Sequence, residues 1–292
     1  MFRGIYTPIV TPFDEKEEID YQKLLVNLSK LADTPLEGLV VLGSNGEFPY
    51  LTEREKLDIS TFVLKEKAEK QKVIVGASHE SVFQMKRFID KIQPFEPSAL
   101  LVLPPHYYKS SMKEEALYQF FVDIADYSPM PIMLYNMPGN TGINMPASLV
   151  VKLSCHPNIL GIKDTAGNIV QLSQIVGEAE KDFSVFAGSA SYLLPALTMG
   201  AKGATLALSN VLAEKCCEIY RLFNEGETVK ALEQQQKIIR INTLVTAGIG
   251  VPALKYAMDL KGYQGGMPRK PMQLLTEDEK TRVRTALAEA EA

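Results

Sequence analysis

Short apolar runs alternate along this chain with longer stretches in which apolar residues recur at helical spacing. The runs are Gly4 to Val10, Gly38 to Leu42, Lys72 to Gly76, Ala99 to Leu103, Pro131 to Tyr135, Ile159 to Lys163, Phe183 to Ala187 and Gly203 to Leu208. They are short, β-branched and continuous rather than alternating, the pattern of strands buried on both faces of a parallel sheet. Between them lie helix-entry signals: Thr52 with Glu55, Ser81 with Gln84 and Asn168 with Gln171 all have capping-box spacing. A strand–helix unit repeated about eight times predicts an α/β fold of the closed (β/α)8 TIM-barrel type. The alternative, an open doubly wound sheet, lacks the GxGxxG turn after its first strand.

From Leu212 onward no strong strand signal remains. Helical periodicity predicts helices over Glu214 to Asn224, Thr228 to Thr246, Val251 to Lys261 and Thr276 to Ala290. Pro252 sits near the start of the third, where a proline is tolerated. The expected organisation is a barrel over residues 1–211, then the last barrel helix and a C-terminal helical extension over residues 212–292.

Composition narrows the function classes. With 46% hydrophobic and 23% charged residues the chain reads as globular. A formal net charge of −4 gives no reason to expect nucleic acid or a membrane surface as partner. There is no apolar run of the ~18 residues that a membrane span needs. After Arg3 comes a strand-like run rather than the apolar core of a signal peptide, so the chain reads as starting with its fold. Cys155, Cys216 and Cys217 show no CxxC spacing and are expected to be buried reduced thiols. A cytoplasmic location is the expectation.

In a barrel, chemistry sits where the strands end. The sixth run closes on Lys163. Burial there disfavours an ammonium, and a neutral amine attacks ketones. The plain alternative is a lysine that snorkels or pairs with Asp164. The fifth run closes on Tyr135, one barrel position away, whose hydroxyl either packs or shuttles protons for an imine. The second run leads into Gly43-Ser44-Asn45-Gly46, either a simple turn or a nest of amides for a carboxylate. It has no GK[ST] ending, so phosphate is disfavoured. Tyr107 and Tyr108 lie on the loop after the fourth run. Gly188 follows the seventh, where a ligand could approach the backbone. His79, His106 and His156 form no HxH or HxxxH pair, so no metal site is expected. No GxSxG is present for a serine hydrolase.

Taken together, GSNGE (Gly43 to Glu47), PPHYYK, YNMPGNTG, GIKDTAGN (Gly161 to Asn168) and FAGSA resemble the class I, pyruvate-dependent aldolase family. That family includes 4-hydroxy-tetrahydrodipicolinate synthase, N-acetylneuraminate lyase, 2-keto-3-deoxygluconate aldolase and 4-hydroxy-2-oxoglutarate aldolase. The resemblance runs from about Phe2 to Leu275 and implies a role for each motif. Lys163 would form the Schiff base, Tyr135 would relay protons, and Ser44 with its loop amides would hold the pyruvate carboxylate. Tyr108 would reach into a neighbouring subunit's site, in a homotetramer built as a dimer of dimers. No metal or organic cofactor would be used. In the synthases of that family the position of Asn140 is typically an arginine, and two threonines stand where this chain has Ser44 and Asn45. The resemblance is therefore nearer the 4-hydroxy-2-oxoglutarate aldolase branch, with Asn45, Asn140 and Thr165 on the aldehyde half of the substrate. A cation such as Lys109 or Arg269 would assist. A synthase, a 2-keto-3-deoxy sugar acid aldolase and a pyruvate-binding regulator stand as alternatives.

Overall fold

The computed structural model describes residues 2–292. Eight parallel strands close into a barrel in sequence order, β8 pairing back onto β1. They are β1 (Gly4–Pro8), β2 (Gly38–Val41), β3 (Lys72–Gly76), β4 (Ala99–Val102), β5 (Ile132–Asn136), β6 (Ile159–Asp164), β7 (Ser184–Ala187) and β8 (Gly203–Thr205). The apolar runs named all eight and overran several ends by one to three residues. Hydrophobicity continues there into buried side chains beyond the last paired residues, as at Val10 and Leu208.

Helices α1 (Tyr21–Ala32), α2 (Glu53–Glu66), α3 (Val82–Ile92) and α4 (Glu114–Tyr127) follow the first four strands. The short α5 (Pro138–Thr141) and α6 (Ala147–Ser154) follow β5, then come α7 (Ile169–Glu178) and α8 (Leu193–Thr198). Of the three expected capping boxes, only that of Thr52 and Glu55 is complete. Ser81 and Asn168 each accept their helix's third amide. At α7 the Gln171 side chain turns instead to Asn144 and Asp164, so the box there is replaced by a link between loops.

After β8 the chain is helical: α9 (Ala213–Asn224), α10 (Thr228–Thr243), α11 (Val251–Leu260) and α12 (Glu277–Glu291). The expected helix to Thr246 is not uniform. It loosens into one π turn, Leu244–Gly248, immediately before Gly250 at φ +87, a conformation a side chain resists.

The core has two parts. A large shell packs the strands' outer faces against the helices. A smaller cluster, including Tyr6, Val40, Ile74, Met133, Tyr135 and Phe186, fills the barrel interior. Among the described residues no helix is long and apolar enough to cross a membrane. Cys216 and Cys217 are buried as expected, but Cys155 is exposed, because it caps the C-terminus of α6 at the surface.

Candidate active site

Lys163 and Tyr135 face one another in register across β6 and β5. A bulge brings this about. Leu160 packs against the barrel interior and Ile162 against the outer shell, although both would share a face in an unbroken strand. The register slips between Ile132 and Met133, so that Ile132 pairs Ile159 but Met133 pairs Gly161. One extra residue inverts the alternation, and Lys163 turns inward. Gly161 permits it: a Cβ there would lie 2.4 Å from the Ser184 carbonyl oxygen on β7.

The Lys163 side chain is buried, with Nζ 4.1 Å from the centroid of the Tyr135 ring. Asp164 points the other way and does not pair with it. Its carboxylate accepts from Asn136 Nδ2 (2.8 Å), the Ala166 amide (2.9 Å) and Gln171 Nε2 (3.3 Å). Burial raises the Asp164 carboxyl above its usual range, against the pull of those hydrogen bonds. Asn136 also bonds Asn144 and the Met145 amide, which fixes the loop after β5.

The Tyr135 hydroxyl lies 3.3 Å from Ser44 Oγ and 2.8 Å from Met137 Sδ. Both are weak claims on its proton. Tyr192, which also lines the site, differs. It donates to the Asp164 carbonyl at 2.7 Å, and burial pushes its phenol far above the ordinary range. Of the two, Tyr135 has the hydroxyl that is not held by a backbone carbonyl.

These groups open into a cavity of about 1210 Å³ that Ser44, Asn45, Tyr135, Asn140, Lys163, Thr165 and Gly188 all line. Seven of the eight residues singled out from sequence thus converge. Tyr108 does not. It is 71% exposed and stacks edge-to-face on Tyr107, ring centroids 5.1 Å apart. Glu80 pins the loop beneath them by accepting the His106 and Tyr107 amides.

Two expected roles change with the geometry. The Thr165 hydroxyl donates to the Asn136 carbonyl at 2.6 Å, so its proton is committed to the protein. Gly188 is required by the protein itself, since a Cβ there would fall 2.1 Å from Thr165 Cγ2. Neither cation suggested from sequence lies on the cavity wall. Lys109 sits over Gly142, where a Cβ would be 2.7 Å from its Nζ. Arg269 is bound bidentately by Glu55 (2.6 and 3.1 Å) and donates to the carbonyls of Glu17 and Tyr50. The arginine on the wall is Arg282 of α12, together with the π turn and Met272 to Leu275. Sequence offered no sign of these, because they belong to the helical extension rather than to strand ends.

The Glu55–Arg269 pair has a measurable consequence. The arginine's hydrogen bond holds the Glu55 carboxyl down to about 2, from an ordinary 4.5. A depressed carboxyl adds stability above its unfolded value and loses it as pH falls through the folded one. Glu55→Gln should therefore cost about 1–2 kcal/mol at pH 7, after screening, with the deficit shrinking as pH drops from 4.5 toward 2. Urea unfolding at pH 7 and pH 3.5 checks this; an equal deficit at both would exclude the arginine as its source.

Among the described residues, no three His, Cys, Asp or Glu gather as metal ligands. The family model described as the dihydrodipicolinate synthetase family matches residues 1–290. The chain is 31% identical over 290 residues to a 4-hydroxy-tetrahydrodipicolinate synthase of Oceanobacillus iheyensis, covering 99% of this chain and 98% of that one. It is 33% identical over 294 residues to a probable mitochondrial 4-hydroxy-2-oxoglutarate aldolase of Emericella nidulans, covering 98% and 94%. A prophage protein of the dihydrodipicolinic acid synthase family from E. coli K12, solved in complex with pyruvate, superposes with a TM-score of 0.93 at 26% identity, covering 100% and 99%. A buried strand-end lysine, a facing tyrosine and a match over nearly the whole chain agree: the protein belongs to the dihydrodipicolinate synthetase family of class I, Schiff-base aldolases and lyases.

Proposed function

We propose that the protein cleaves, reversibly, 4-hydroxy-2-oxoglutarate or a similar 2-oxo acid to pyruvate and an aldehyde, glyoxylate in the favoured case. The observation that carries the chemistry is Lys163 buried against Tyr135, with the Tyr135 hydroxyl next to Ser44. The lysine nitrogen adds to C2 through its lone pair; the carbinolamine takes up a proton and loses water, and a protonated imine remains. The C4 hydroxyl proton passes to the Tyr135 oxygen as Tyr135 hands its own proton to Ser44 Oγ, and Ser44 releases its hydroxyl proton to water in the cavity. The C3–C4 electron pair falls into the iminium, giving an enamine and releasing the aldehyde. C3 then takes up a proton, water adds at C2, and pyruvate leaves with the amine restored. Ser44 and the turn around it hold the carboxylate throughout.

A second reading, condensation of pyruvate with aspartate semialdehyde, is supported by the synthase names of most relatives at about this identity. The absence of a cation at Asn140 counts against it. A 2-keto-3-deoxy sugar acid comes third, supported by a cavity larger than glyoxylate requires.

Treatment with pyruvate and borohydride should leave a reduced pyruvyl adduct on Lys163, read by peptide mass. No adduct, or one on another lysine, refutes the mechanism.

We further propose that Tyr108 completes the site of a second copy, in a dimer of dimers. An exposed aromatic pair on a loop pinned by Glu80 is the support. Lys163→Ala and Tyr108→Phe subunits, each inactive alone, should regain activity when mixed. Mixed dimers that form and stay inactive would confine Tyr108 to its own chain.

A further inference from the structure

Lys255 is the second deeply buried lysine, at 2% exposure, and sequence gave no hint of it. It rises from α11, whose first turn lines the cavity, but its own side chain is not on the cavity wall. Its ammonium is enclosed by two carbonyls and a carboxylate. Nζ donates to the carbonyls of Thr11 (2.8 Å) and Met267 (2.7 Å) and lies 2.5 Å from Glu47 Oε1. This enclosure removes it as a rival nucleophile. Glu47 Oε1 meets it off the hydrogen-bond axis, as an ion pair, and has no other partner.

Glu47 is the residue that ends the Ser44–Gly46 turn. It is wholly buried and holds a left-handed backbone, φ +56, that a side chain resists. Its other oxygen accepts the Arg269 amide at 2.9 Å. Thr11, whose carbonyl takes Lys255, gives its hydroxyl proton to the Gly46 carbonyl at 2.7 Å. The turn uses the Gly46 and Glu47 amides itself, bonding them to Gly43 and Ser44. The Ser44 and Asn45 amides, first in the turn, have no acceptor within it. They are the donors left for a carboxylate.

We propose that Lys255 and Glu47 form a positioning pair that holds the Gly43–Gly46 turn in the shape that binds the substrate carboxylate. The inference rests on the pyruvate reading above. A buried ion pair is seldom more stable than apolar side chains of the same volume, so stability alone gives little reason for one under this turn. The geometry gives another: the pair joins the carboxylate turn to the loop after β1 and to the Met267–Arg269 segment. Burial holds the Lys255 ammonium down to about 8, opposed by Glu47 and Asp259 and aided by the Arg269 charge. Deprotonation above that pH leaves the Glu47 carboxylate without its cation and releases the turn.

The test compares the wild type with Lys255→Met and with the charge-free double variant Glu47→Gln/Lys255→Met, in which no lone buried charge remains. The pyruvate KM and the borohydride adduct on Lys163 are measured for each, with thermal melts alongside. Both variants should raise the pyruvate KM about tenfold or more, the share of one charge-assisted hydrogen bond, with the larger loss on KM rather than kcat. A double variant that melts like the wild type and binds pyruvate equally well overturns the proposal and leaves the pair a packing feature. The wild type supplies a check that no folding defect can remove: its pyruvate KM should rise between pH 7.5 and 9.5, the opposite of what a nucleophilic amine alone would cause. A flat or falling KM overturns the proposal as well. Failure of the wild type to trap pyruvate overturns both this inference and the reading beneath it.

Discussion

Lys163→Ala is expected to fall to less than about a thousandth of wild-type turnover while the barrel stays folded, because the reaction loses its nucleophile and not merely a contact. The side chain is buried at the inner rim of β6 against the Tyr135 ring, so truncation strands no oppositely charged partner. Asp164, the adjacent carboxylate, is satisfied by Asn136, Gln171 and an amide, and does not notice the loss. Circular dichroism and a melt close to the wild type should accompany the inactivity. Tyr135→Phe is the companion. It keeps the ring against the lysine and removes only the hydroxyl, and a misplaced proton relay costs about 10²–10⁴ in kcat. Residual activity above a few percent in purified Lys163→Ala would rule out covalent catalysis, and a Tyr135→Phe enzyme with normal kcat would move the relay to another group.

Legibility from sequence followed the kind of interaction involved. Strands and helices are set by local periodicity, so the eight runs and the four late helices were readable, with errors at the ends where burial outlasts pairing. Strand-end positions were readable for the same reason: Lys163 and Tyr135 close apolar runs, and closed barrels expose those ends. The inward direction of Lys163 was not readable, because it depends on a bulge between β5 and β6 that inverts the alternation. The Lys255–Glu47 pair was hidden too. Its members are more than two hundred residues apart, and each resembles an ordinary surface charge in a helical or polar stretch. Arg269 looked available from sequence and is not, since its partners Glu17, Tyr50 and Glu55 are gathered only by the fold. Thr165 looked like a donor and is one, but toward the neighbouring strand's backbone.

The proposed choice of aldehyde partner rests on Asn140, which lies exposed in α5 on the cavity wall. A semialdehyde carboxylate is best held by an arginine, which brings a fixed charge and two parallel donors. Asparagine offers one neutral amide donor group and an acceptor. Losing a charge-assisted contact of ~1.5–3 kcal/mol changes discrimination about ten- to hundredfold. With Lys109 on Gly142, Arg269 held by Glu55 and the Thr165 proton committed, Asn45 and Asn140 are the donors left among the residues the sequence pointed to for the aldehyde half. Cleavage of 4-hydroxy-2-oxoglutarate should therefore exceed condensation with aspartate semialdehyde in kcat/KM on one preparation. Asn140→Arg should raise the condensation by tenfold or more. Asn140 is exposed and borders the cavity, so a longer side chain there extends into open space. Arg282, which also lines the cavity, is the cation able to upset this order, and Arg282→Ala separates the cases. If the native enzyme favours the semialdehyde tenfold and Arg282→Ala abolishes that preference, the charge comes from α12 and the synthase reading replaces the aldolase one. If the preference for the semialdehyde survives that change, neutral donors suffice and the argument from Asn140 fails.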